Sequence, residues 1–453
     1  MNLSSRRSRQ SKPEARKSHR VGFWWFAYVA FVIYGSLVPL QFTPLPWNDA
    51  WTTFQQIRLL NVGTGGRADW VANGVLYVPV GFLTAMLLSG QRRGAVRFAA
   101  SLGAMVFVAA LAVSIEFVQL AFPPRTVSLN DLLAELVGGG LGAIVAGVAS
   151  DRFRELWAAM TGAADRLLPR LLEGYALAYC AFSLFPYDFL LSATELADKL
   201  DSGRWGWVWA AGSGRGTGTA AAAKIAAEAL AAAPLGLLLA SWGKSTRQAW
   251  RFGLALGIGI EFAQFFLVSG VSQGFSVLTR ALGITAGALA WHRRHRFDPL
   301  RLAAAIRHSG WLLATVYILA LAAVTGWFEL EWQGLEAAAA SVREVRFLPF
   351  YYYYYTTEQV ALLSLVSIGL VYGPLGIVAW ANFMGPRAAA SMAMFAAAVV
   401  ESSKLFLVGL HPDPTNVLLA GIPAWLAYCL SRGTARLSLS RSVCKMHFDN
   451  RTS

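Results

Sequence analysis

Apolar residues come in long runs along this chain, from Val21 into the 430s, separated by short clusters of arginine, lysine and small polar residues. A helix of about twenty apolar residues is long enough to cross the hydrocarbon core of a bilayer. The pattern therefore predicts twelve membrane helices, at roughly 22–40, 70–89, 97–121, 129–149, 171–186, 221–242, 249–268, 275–291, 310–327, 359–381, 388–409 and 414–431. None of the runs shows the weak ten-residue alternation of an outer-membrane strand. The expected fold is all-α: a polytopic transmembrane helical protein.

The runs fall into three groups of four. Each group has a Pro-x-Gly triplet in its second helix and a glutamate near the end of its third: Pro79-Val80-Gly81 with Glu116, Pro234-Leu235-Gly236 with Glu261, and Pro374-Leu375-Gly376 with Glu401. The first helices end near Ser36-Leu37-Val38-Pro39 and Ser183-Leu184-Phe185-Pro186; Arg346-Phe347-Leu348-Pro349 is a weaker match, placed in a loop. This recurrence predicts three diverged four-helix repeats, parallel because each holds an even number of spans. The implied divisions are a basic arm (1–20), repeats at 21–150, 171–292 and 310–431, and a basic tail (432–453). Long loops follow each first helix. They hold Trp205, Trp207 and Trp209 in the second group and Tyr351 to Tyr355 in the third. These aromatics read as an interfacial belt or as a platform for a sugar or lipid headgroup.

Composition agrees with a membrane protein: 56% of residues are hydrophobic and 14% charged, against about 25% charged in a soluble domain. The net charge of +14 would suggest nucleic acid in a soluble chain. Here most Lys and Arg lie in the N-terminal arm, in the loops around Arg92, Arg152, Lys244, Arg293 and Arg387, and in the tail. That asymmetry marks cytoplasmic loops. It predicts a multi-pass protein of a bacterial inner membrane, both termini cytoplasmic, surrounded by membrane lipid, with no nucleic-acid partner. The first run lacks a small-residue cleavage site and reads as an uncleaved helix. Cys180, Cys429 and Cys444 have no disulfide or metal spacing. With no phosphate-loop, nucleophile-elbow or zinc signature, no cofactor is expected.

A carboxylate in a membrane helix costs several kcal/mol unless paired or hydrated, and so marks a functional site. Glu116 and Gln119 share one helix face. Arg125 lies just beyond that helix, and Asp131 and Glu135 open the next; Asn73, Pro79 and Gly81 sit on the preceding one. Proline frees a backbone carbonyl and glycine permits close helix approach. Glu116 reads as a proton-carrying group or as a structural partner of Arg125. Arg125 with Asp131 reads as a clamp for an anionic headgroup or as a salt bridge. Glu261, near Gln264, and Glu401 read as structural; Glu401 with Lys404, and Glu228 with Lys224, are spaced to neutralise one another.

The ordered set Asn73, Pro79-x-Gly81, Glu116-x-x-Gln119, Arg125 and Asp131 resembles the VanZ-like family, named for a membrane protein linked to resistance to the glycopeptide teicoplanin. The resemblance is close over about 34–149, partial over about 179–291 and faint over about 345–431. The family pattern tends to have two aspartates and then an asparagine after the arginine, where this chain has Ser128, Asp131 and Glu135. The second group has Gly270, Ser276 and Arg280 at the places of Arg125, Asp131 and Glu135; the third has Lys404 for the glutamine and Asn416 for the aspartate. The resemblance implies a membrane fold and a tie to cell-envelope or antibiotic physiology, and no reaction.

The resulting expectation is binding or translocation of a lipid-linked or amphiphilic envelope molecule by the first group. Glu116 would be the buried acid, Gln119 and Asn73 its partners, and Arg125 and Asp131 the headgroup contacts. One alternative is an intramembrane enzyme acting on a lipid headgroup, with Glu116 and Asp131 as acid and base. The other is a non-catalytic membrane scaffold.

Overall fold

The computed structural model describes residues 7–60, 63–90, 94–161, 167–211, 218–294 and 298–449. The chain forms two compact bodies, Met1–Glu155 with Tyr187–Phe189, and Leu156–Pro186 with Leu190–Ser453.

The first body is built from α1 (Arg7–Leu37), α2 (Trp47–Gln55), α3 (Thr64–Ser89), α4 (Ala95–Gln119) and α5 (Leu129–Thr161). Its core joins Val29 and Val32 of α1, Tyr77 and Val80 of α3, and Val108, Ala112 and Ile115 of α4. Small residues bring α3 and α5 into backbone contact: a Cβ at Gly81 would overlap the Gly139 carbonyl, and one at Gly142 the Val78 carbonyl. The run Gly138-Gly139-Gly140 is thus a packing face.

The second body holds two further groups. One is α6 (Leu167–Ser183), α7 (Ala193–Asp201), α8 (Gly218–Ser241), α9 (Thr246–Phe265) and α10 (Gly274–His292), with a two-residue parallel pair of β1 (Trp205–Gly206) and β2 (Ser272–Gln273). The other is α11 (Pro299–His308), α12 (Gly310–Thr325), α13 (Leu335–Glu344), α14 (Tyr351–Tyr354), α15 (Glu358–Ala381), α16 (Pro386–Ser403) and α17 (Pro414–Asp449). The same close approach appears in both: a Cβ at Gly236 would overlap the Ile284 carbonyl, and one at Gly376 the Ala424 carbonyl.

Each group has four helices when the short α2, α7, α13 and α14 are set aside and α11 with α12 is counted as one. The third of each (α4, α9 or α16) buries one face that carries the glutamate near its end. In α4 it is Ala104, Val108, Ala112, Ile115 and Glu116; in α9 it is Ala249, Gly253, Gly257, Ile260 and Glu261; in α16 it is Ala389, Ala393, Ala397, Val400 and Glu401. Spacings of three and four residues keep these on one side of a helix. Large apolar side chains such as Phe98, Ile144, Val148, Leu230, Leu370 and Phe395 remain exposed, as expected of helices whose outer surface meets lipid.

Among the described residues, six helices are long and apolar enough to cross a membrane alone, and a seventh span results if α11 and α12, bent by 76°, are taken together. The sequence pattern predicts twelve. The apolar part of α1, Val21–Leu37, is shorter than a full span. Helices α9 and α10 hold Arg247, Arg251, Glu261 and Arg280, charges that lower their apolar character. The run at 310–327 is the second limb of the bent pair. Of the second long loop, Trp205 to Trp209 are described, while the glycine-rich stretch from 212 to 217 lies outside the described residues.

Candidate functional site

Proline inside a helix removes one backbone hydrogen bond and opens the preceding turn. In each group a tyrosine of the first helix reaches into that turn. Tyr28 donates to the Leu76 carbonyl (3.0 Å), Tyr175 to Ala231 (2.6 Å) and Tyr317 to Val371 (3.1 Å), in each case three residues before the proline. These tyrosines escape sequence reading because their distance from the proline differs from group to group.

The glutamates share a second feature. Glu116 faces the backbone N–H of Ser128, Glu261 accepts from Gln273 N–H, and Glu401 accepts from Asp413 N–H at 2.8 Å. Each donor is the residue immediately before the fourth helix. The carboxylate therefore sits at the positive end of that helix, where negative charge is stabilised.

The other carboxylate oxygen separates the groups. In the second, Glu261 Oε1 is ion-paired with Arg280, both side chains buried. In the third, Glu401 Oε1 accepts from Lys404 Nζ at 2.8 Å and Asn416 Nδ2 at 2.9 Å. In the first, Glu116 Oε2 is buried with no hydrogen-bond partner. Nearby, Glu135 Oε2 and the Tyr77 hydroxyl are also buried; the two side chains lie within reach of each other and have no further partner among the described residues. Glu116, Glu135 and Tyr77 are 2%, 4% and 0% exposed. Their charges interact, and the tyrosine lies beside Glu135. Two carboxyls and a phenol thus share the interior of one four-helix group, with no cation among the described residues bonded to either acid.

The remaining first-group candidates are hydrogen-bonded. Asp131 is filled on both oxygens, by Asn73 Nδ2 at 2.7 Å and Ser128 Oγ at 2.6 Å. Arg125 donates to the Val38 carbonyl (2.8 Å) and the Gly35 carbonyl (2.6 Å), closing the end of α1. Arg125 and Asp131 are both charged neighbours of Glu116, and no salt bridge joins them to each other. Gln119 Nε2 donates to the Ser36 carbonyl (2.9 Å), and Gln264 Nε2 to Ser183 (2.7 Å), the same bond in two groups. Pro79 and Gly81 act through the helix contact described above. Tyr77 is the member that the sequence reading missed; its signal is a hydroxylated aromatic two residues before the proline, repeated at Tyr372.

The second group corrects an expectation. Lys224 and Glu228 do not neutralise one another: the Glu228 carboxylate accepts from Ser276 Oγ (3.2 Å). This pair occupies the places of Asn73 and Asp131 with donor and acceptor exchanged. Both Lys224 and Glu228 line a cavity of about 550 Å³ together with Arg204, Gln264, Gln273 and Arg280. The first body has an apolar groove of about 260 Å³ between Phe42, Trp47, Phe117 and Phe122. The loop aromatics pack on rings, Trp205 on Phe265 and Trp209 on Phe275. Tyr353 donates to Asn416 Oδ1 at 3.1 Å.

The VanZ/LLP1 family model matches residues 4–150. The match spans the first four-helix group, which is thus similar to that family, and residues 151–453 lie outside it. No curated protein and no solved structure matches the chain.

Proposed function

We propose that the protein binds a lipid-linked or amphiphilic molecule of the cell envelope, and that the buried acids of the first group receive its polar end. The observation behind this reading is the unfilled oxygen of Glu116 beside the buried Glu135 and Tyr77. A buried polar group without a partner is costly, and a carboxylate within a membrane helix more so. Two carboxyls call for a donor-rich group, an ammonium or a hydroxyl. The apolar groove beside Phe117 suits an attached chain. The setting is a bacterial inner membrane with both termini cytoplasmic, on the distribution of Lys and Arg. A role in glycopeptide-resistance physiology is the corresponding cellular expectation.

The test is mass spectrometry of the amphiphiles that copurify with the full chain. Wild type is expected to retain a species that Glu116→Gln and Glu135→Gln lose at equal expression. An identical complement in all three overturns the reading. Turnover of the retained species to a new product would instead support catalysis.

A further inference from the structure

The second four-helix group contains a cavity of about 550 Å³, within the range of about 300–1,000 Å³ typical of small-molecule sites. We propose that it binds a phosphorylated sugar or polyol, independently of the acid cluster in the first group. Charge gives the first argument. Arg204, Lys224 and Arg280 line the cavity against one lining acid, Glu228. Arg280 is held by Glu261, and one Arg204 nitrogen reaches the Val268 carbonyl at 3.3 Å. Lys224, on the apolar helix α8, has no ion-pair or hydrogen-bond partner among the described residues. That ammonium is exposed on the cavity lining, open to an incoming anion. Lysine binds phosphate as a point charge, whereas arginine presents paired donors.

Hydrogen bonding gives the second argument. Gln273 is 3% exposed and lines the cavity. Its Nε2 donates to Ser276 Oγ at 3.0 Å, while its Oε1 is buried with no partner. That oxygen accepts a proton donor and gains nothing from a phosphate oxygen. A hydroxyl beside the phosphate satisfies Gln273 and Lys224 together.

The same chemistry occurs in a lipid headgroup and in a free phosphate ester, so the test has two arms. Full-length protein in detergent is titrated calorimetrically with glycerol 3-phosphate and with inorganic phosphate. In parallel, native mass spectrometry follows retention of phosphatidylglycerol from nanodiscs of that lipid mixed with phosphatidylcholine. Saturable binding of the free ester assigns a soluble ligand, and selective retention of phosphatidylglycerol alone assigns a headgroup. In either arm Lys224→Ala is expected to weaken binding about tenfold or more with an unchanged melting transition, since Lys224 has no bonded partner among the described residues. Arg204→Ala is the second variant. Gln273→Leu is expected to abolish the preference for glycerol 3-phosphate over inorganic phosphate. Failure of both probes to bind, or wild-type binding by both cation variants, overturns the proposal. Loss of copurifying amphiphile in Glu116→Gln leaves this result untouched, so the two readings fail separately.

Discussion

The first and second four-helix groups hold the same carboxylate in the same place and use it differently. In both, a glutamate ends the small-residue face of the third helix and sits at the start of the fourth. In the second, Arg280 fills the remaining oxygen of Glu261; in the first, Glu135 stands where that arginine would be, and Glu116 keeps an unfilled oxygen. One substitution of charge thus turns a closed ion pair into an open acid cluster. The shared glutamate is explained by helix capping. Function is to be sought in what surrounds its second oxygen.

The largest expected effect comes from breaking the closed pair. Arg280→Ala leaves Glu261 buried and unneutralised. Removing one partner of a buried pair costs about 3–5 kcal/mol. Thermal unfolding of the purified protein should show a large loss of stability, and a transition within a degree or two of wild type would mean that the pair is not a fixed part of the second group. The glycine contacts come next and apply to all groups alike. Gly81→Ala, Gly236→Ala and Gly376→Ala each force α3 from α5, α8 from α10 or α15 from α17, at about 1–3 kcal/mol for overpacking. Similar losses in the three variants would support a common architecture; a harmless change at one position would separate that group from the others.

Much of this architecture is legible in the sequence. The Pro-x-Gly triplets and the glutamates mark positions fixed by local geometry, a pried helix turn and a helix end, and so they recur at readable places. The faces of α4, α9 and α16 are legible for the same reason, since helical periodicity is a local property. What the sequence hides depends on distant segments. Tyr28, Tyr175 and Tyr317 make one bond from three different spacings. The exchange of Asn73 and Asp131 for Glu228 and Ser276 looks like loss of a site when the residues are read singly. Only the paired geometry shows a hydrogen bond retained with its direction reversed. The cavity of the second group is hidden for a related reason: its cations come from a loop (Arg204) and two helices (Lys224 and Arg280).

A smaller effect tests the shared tyrosine bond. Tyr28→Phe, Tyr175→Phe and Tyr317→Phe each remove one hydrogen bond to the carbonyl three residues before a proline. The expected cost is about 0.5–1.5 kcal/mol per variant, read as a modest drop in melting temperature. Because the bond is the same in all three groups, the three values should lie close together. A much larger loss at Tyr28 alone would place that residue within the machinery of the first group rather than in its frame.

The smallest effect on stability is the most informative. Glu116→Gln keeps the size of the side chain, and its amide oxygen can still face the Ser128 N–H. It removes a charge that no bonded cation neutralises and that lies among other acids. The expected change in melting temperature is therefore near zero or slightly positive. Glu261→Gln has the opposite sign, because it leaves Arg280 without its partner in a buried setting. If the two variants are destabilised equally, Glu116 is as structural as Glu261 and the contrast between the groups fails. If Glu116→Gln is as stable as wild type yet loses its copurifying amphiphile, the unfilled oxygen is kept for a ligand, since stability alone would favour the amide.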